Sequence, residues 1–147
     1  MSTTSFSGPV VSAAGFTGNI TGGATLPVVS PTEATTLTVA QSGSIISLTA
    51  AAGYAVTLPA VASSAGVNYL FVVGVVHATT DWVITSAAAD IYGVVDELST
   101  VQAVAGATTI NLELATATIG DWYYLYSDGT NWYINGHAAQ AASVTPA

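Results

Sequence analysis

The sequence predicts an all-β domain, a jelly-roll-like fold or a β-sandwich or barrel of about nine short antiparallel strands behind an extended N-terminal arm. Three observations carry that expectation. From Thr35 onward, short runs rich in β-branched and aromatic residues are separated by Gly, Ser, Asn and Asp breakers, too closely spaced to leave room for helices. No stretch keeps a helical period: the best candidate, Thr85 to Val104, is interrupted by Gly93 and by strong β formers. Finally, Asp128-Gly129 sits between two aromatic runs, the strongest local signal for a hairpin.

Residues 1–34 hold Gly8, Gly15, Gly18, Gly22, Gly23, Pro9, Pro27 and Pro31 between isolated apolar residues, and breakers this dense forbid long regular structure. A disordered tail is usually poor in aromatic and β-branched residues. Phe6, Val10, Val11, Phe16, Ile20, Leu26, Val28 and Val29 recur here, so the segment reads as an arm that orders against a neighbour, with Phe6, Phe16, Ile20 and Leu26 as its contacts. The β-domain spans 35–137. Its expected strands are TTLTV, SIISLT, YAVTLP, NYLFVVGVV, DWVITS, IYGVV, TTINLELA, WYYLYS and NWYING. The run Asn68 to Val76 is apolar on both faces, whereas an antiparallel sheet normally wets one. Its second face is therefore expected to be covered by another subunit. Residues 138–147, small and featureless, read as a loose tail.

A two-residue type I′ turn at Asp128-Gly129 would set Leu125 opposite Trp132 and Tyr124 opposite Tyr133. Strand alternation then gives a core face of Tyr123, Leu125, Trp132 and Ile134. The other face carries Trp122, Tyr124, Tyr126, Asn131, Tyr133 and Asn135. Rings with polar tips are enriched at interfaces, so Trp122, Tyr124, Tyr126 and Tyr133 are expected at a subunit or partner contact; a second core layer and a sugar-stacking surface are the alternatives.

Composition narrows function further. The 147 residues include no Lys or Arg and eight Asp or Glu, a formal charge of −8, and charged residues are 5% of the chain against about a quarter in an average protein. Nucleic-acid binding, phosphoryl transfer and binding to anionic membrane surfaces depend on cationic side chains and are disfavoured. The longest apolar run, Tyr69 to Ala78, is about half a membrane-spanning helix, and no positively charged n-region of a secretory signal opens the chain. With no Cys there is neither disulfide nor thiolate metal site. His77 and His137 stand alone in sequence, and adjacent Asp96 and Glu97 point to opposite sides of a strand. Asp128-Gly-Thr-Asn131 lacks the remaining ligands of a calcium loop. The expectation is a non-enzyme without metal or cofactor.

Two stretches, SGPVVSAAGFTGNITG near the start and GDWYYLYSDGTNWYINGH near the end, resemble small decoration proteins of tailed bacteriophages, especially those of aquatic hosts; the ending is also similar to the closing strands of trimeric phage fibre domains. TLPAVASSAGVNYLFVV between them looks like a segment that accompanies that ending. The resemblance implies a homotrimeric β-fold on the outer surface of a virion, bound to the major capsid protein, with a fibre or glycan-binding host-recognition module as the alternative. Mutual repulsion of acidic subunits would be tolerable in seawater, where screening acts within a few Å.

Overall fold

Burial alternates residue by residue along the longest strands, and this period of two organises the domain. The computed structural model describes residues 25–147. They form twelve strands: β1 (Val28–Val29), β2 (Thr35–Thr36), β3 (Ser44–Leu48), β4 (Ala55–Thr57), β5 (Asn68–Val73), β6 (Trp82–Thr85), β7 (Ile91–Glu97), β8 (Thr100–Ala107), β9 (Thr109–Leu112), β10 (Trp122–Ser127), β11 (Trp132–Ala138) and β12 (Val144–Pro146). A seven-stranded sheet, ordered β1-β3-β5-β10-β11-β7-β8, packs against a five-stranded sheet, ordered β12-β9-β6-β4-β2. The all-β sandwich expected from sequence is therefore the fold.

Strand direction and number differ from expectation. From β1 to β6 the chain places successive strands in alternate sheets, so β1, β3 and β5 run parallel in one sheet and β2, β4 and β6 run parallel in the other. β7 and β11 are also parallel. A parallel pair needs a long crossover, and here the opposite sheet supplies it in place of a helix. Antiparallel hairpins are confined to β7–β8 and β10–β11, where consecutive strands share a sheet. Alternation in sequence says which residues face inward but nothing about partner or direction, which is why the expected antiparallel strands became mixed sheets.

Three of the twelve strands were not anticipated. β1 lies inside the segment expected as an arm, where it pairs with β3. β8, TVQAVAGA, is rich in residues with weak β preference and is held by its register with β7, with a bulge at Gly106. β12 lies in the expected loose tail. It pairs with β9, buries Val144, and receives the carboxylate of Glu97, which accepts the Val144 N–H at 2.7 Å and the Ala142 N–H at 3.1 Å.

Between the sheets Trp82, Trp132, Tyr69, Tyr123 and Phe71 are fully buried beside Ile46, Leu48, Ile84, Ile91, Ile110 and Leu112. Tyr69 stacks on Trp132 at 6.0 Å, and Tyr54 meets Trp82 edge-on at 5.6 Å. The Tyr69 hydroxyl donates to the Thr38 carbonyl at 2.8 Å, and burial pushes its pKa up to about 12. Several acids are met by backbone donors, whereas buried Asp90 keeps one carboxylate oxygen without a partner among the described residues. Asp121 accepts from the N–H groups of Thr118 and Ala139, both at 2.8 Å, and Asp81 accepts from Leu114 N–H at 2.7 Å. His77, buried, donates from Nε2 to the Leu112 carbonyl at 2.9 Å, the only role a ring nitrogen can take toward a carbonyl.

Gly93 marks the tightest strand approach. It sits in β7 with φ +140°, and a Cβ there would run into the Ile134 carbonyl of β11. Both the backbone conformation and the contact exclude a side chain. Gly93→Ala is expected to cost about 2–4 kcal/mol, read as a fall in urea midpoint; an unchanged midpoint would mean that the β7–β11 pair can open to admit the methyl group.

Candidate functional site

The alternation that fills the sandwich leaves the opposite face of the seven-stranded sheet without a covering layer among the described residues. On β10, Tyr123, Leu125 and Ser127 point inward and Trp122, Tyr124 and Tyr126 outward. On β11, Trp132 and Ile134 are buried while Tyr133, Asn135 and His137 lie on the outer side. The sorting of the hairpin into a core face and an exposed face holds. Its turn does not: Ser127 pairs with Trp132, Leu125 with Ile134 and Tyr124 with Asn135, which makes Asp128–Asn131 a four-residue loop. The carboxylate of Asp128 causes this. Its Oδ1 accepts the N–H groups of Thr130 at 2.7 Å and Asn131 at 2.8 Å, building an Asx-type turn with Gly129 at φ +90°. The register moved by two residues, so every side chain kept its face.

Cross-strand pairing extends this surface over neighbours far away in sequence. One row runs Ser47, Val72, Trp122, His137, Asp96, Val101; the next runs Val28, Ile45, Leu70, Tyr124, Asn135, Val94, Ala103; a third runs Asn68, Tyr126, Tyr133, Tyr92, Ala105. Tyr126 stacks on Tyr133 at 5.4 Å and lies 5.8 Å from Tyr124. The Tyr133 hydroxyl donates to Asp128 Oδ2 at 3.0 Å, so turn and aromatic cluster support each other. Trp122, Tyr124, Tyr126, Tyr92 and Val94 are each 37–44% exposed. These are large rings and aliphatic chains left half in water on a sheet whose other face is dry.

Two depressions interrupt the face. An apolar groove of about 640 Å³ is lined by Leu70, Val72, Gly120, Trp122, Tyr124 and Asn135. On the other side of Trp122 a more polar notch of about 520 Å³ lies among Val94, Asp96, Val101, Asn135 and His137. His137 Nδ1 stands 3.7 Å from Asp96 Oδ2, beyond hydrogen-bond length.

Of the contact residues read from sequence, Trp122, Tyr124, Tyr126 and Tyr133 come together here. Leu26 is exposed beside β1 at the sheet edge. Phe6, Phe16 and Ile20 lie outside the described residues. Sequence reasoning missed Tyr92 and Val94, although period-two alternation in IYGVV already pairs them on one face; what could not be read was that β7 lies beside β11. Leu70 and Val72 are the outer side of the strand noted as apolar on both faces, half-buried and without a covering layer among the described residues. Asp96 and Glu97 do diverge, one exposed and one buried. Among the described residues, no three His, Asp or Glu side chains gather to hold a metal ion.

Compared with protein-family models, curated proteins and solved structures, the chain has no significant match.

The Asp128 turn makes an acid-sensitive prediction. Its carboxyl is held below the usual carboxylate range by the N–H groups of Asn131 and Thr130. A folded-state pKa depressed below the unfolded value stabilises fully above the unfolded value, about pH 4, and that contribution is lost as pH falls through the folded pKa. The difference in urea midpoint between wild type and Asp128→Asn should therefore be greatest near neutrality and shrink below about pH 4. A difference independent of pH would contradict the assignment.

Proposed function

We propose that this chain is a structural virion protein that acts through contact surfaces, decorating the outer surface of a tailed-bacteriophage capsid as a homotrimer bound to the major capsid protein. The observation that carries the reading is the outer face of the seven-stranded sheet: three cross-strand rows of rings and aliphatic side chains, half exposed, with Asp96 as the one acid in them. A free-standing domain gains nothing from such a face, whereas association removes it from water at about 25 cal/mol per Å² of apolar area. The resemblance of both ends of the chain to phage decoration proteins supplies the setting.

The aromatic end of the face, from Tyr124 and Tyr126 to Tyr133 and Tyr92, suits contact between like copies. Stacked rings carry no charge, so they tolerate a second acidic subunit. The arm expected from Phe6 to Leu26 is uncharged throughout and is assigned to the capsid or to a neighbouring copy.

A second reading, host recognition through glycans, is favoured by the exposure of Trp122, Tyr124 and Tyr126, rings on which a sugar could stack. A glycan array separates the two readings: specific sugar binding lost in Tyr124→Ala supports recognition.

Light scattering should return a mass of three times 14.7 kDa. Coexpression with the major capsid protein of the same genome should yield decorated shells. Tyr124→Ser combined with Tyr126→Ser removes exposed rings only, so the melting temperature of the isolated domain should change by a few degrees at most while the trimer dissociates. A monomeric wild type that leaves shells bare would overturn the proposal.

A further inference from the structure

The polar notch beside Trp122 differs from the rest of the face. Asp96 is the only charged residue in the three outward rows, and no donor among the described residues reaches its carboxylate within hydrogen-bond distance. Four of the seven other acids are used differently: Glu97, Asp121, Asp81 and Asp128 each accept backbone N–H groups. Asp96, 68% exposed at its side chain, is left facing outward. Trp122 forms one wall of the notch, Val94 and Val101 the other, and the side chains of Asn135 and His137 lie between.

We infer that this notch receives an arginine side chain from a protein other than this one, the guanidinium plane stacked on Trp122 and paired with the Asp96 carboxylate, with the Asn135 side-chain carbonyl as a further acceptor. The inference rests on the reading of this sheet face as a docking surface and names the chemistry of its partner. Three facts on charge point the same way. A tryptophan face attracts a cation, and Arg stacks on it best because its charge is planar and weakly hydrated. The Asp96 carboxylate, two strands away across the notch beyond His137, adds a paired acceptor that suits a guanidinium fork. This chain has no Lys or Arg anywhere and a formal charge of −8, so a second copy offers no such group. Like copies can cover the tyrosine end of the face but leave this notch unmatched. A basic partner completes it, and its complementary charge would also speed encounter with the acidic surface.

The three tryptophans give a clean reporter, since Trp82 and Trp132 are buried and only Trp122 is exposed. Full-length protein is titrated with the capped tripeptide acetyl-Gly-Arg-Gly-amide, with its citrulline isostere, and with maltose, following the Trp122 indole N–H by NMR. The arginine peptide should shift Trp122 saturably and lose affinity as salt rises. Citrulline should bind at least about ten-fold more weakly, and Asp96→Asn should bring the arginine peptide to the citrulline level. Asp96 is exposed, so this substitution leaves the fold intact, which the unchanged indole signals of Trp82 and Trp132 verify. Equal shifts by arginine and citrulline, an unaffected Asp96→Asn, or a stronger shift by maltose would each overturn the inference. Because no shell enters this titration, failure here leaves capsid decoration to its own test, and bare shells there leave the arginine notch standing.

Discussion

With no cationic side chain beyond two histidines, this chain cannot neutralise a buried acid by an ion pair. Apart from Asp90, whose buried Oδ1 has no partner among the described residues, the carboxylates that enter the protein are met by main-chain N–H groups, and these shape the connections between strands. Asp121 ties the approach to β10 to the exit of β11, Asp81 secures the segment after β9, and Glu97 at the end of β7 fastens β12. A charge-assisted hydrogen bond to a backbone donor is about twice as strong as a neutral one. Each acid therefore orders two distant segments at once. What a salt bridge would do on a surface, these do inside a loop.

The rest of the cohesion is apolar burial between two sheets. Because successive strands from β1 to β6 pass from sheet to sheet, every turn of the chain adds one strand to each layer, and the large rings of Tyr69, Phe71, Trp82, Tyr123 and Trp132 meet in the space between. Such a winding produces parallel neighbours without helices. Among the described residues neither outer face carries a covering layer, and the seven-stranded one is aromatic.

An outer face of this kind has a cost for a soluble copy and a use in an assembly. Tyrosine and tryptophan supply contact area with few rotatable bonds, and their hydroxyl and indole groups keep a polar partner at the rim. The tyrosine end and the notch around Trp122 and Asp96 are distinct in charge, and on the function proposed above they would serve different partners, a like copy at one and a basic side chain at the other.

The amino-acid sequence by itself determined the class of the fold and the facing of its residues, because a period of two is a local property of each strand. The sandwich class, the burial of Tyr123, Leu125, Trp132 and Ile134, the exposure of Trp122, Tyr124 and Tyr126, and the opposite orientations of Asp96 and Glu97 were all legible on that basis. Even the wrong turn length at Asp128 left these faces in place, since the slip was of two residues. Tertiary structure alone decided which strands are neighbours and in which direction they run. That choice depends on contacts between residues remote in sequence, such as Gly93 admitting the Ile134 carbonyl and Glu97 capturing the N–H groups of the C-terminal strand. The joining of Tyr92, Val94 and Asp96 to the hairpin's aromatic face followed from it, and with that pairing came the notch that no local pattern records.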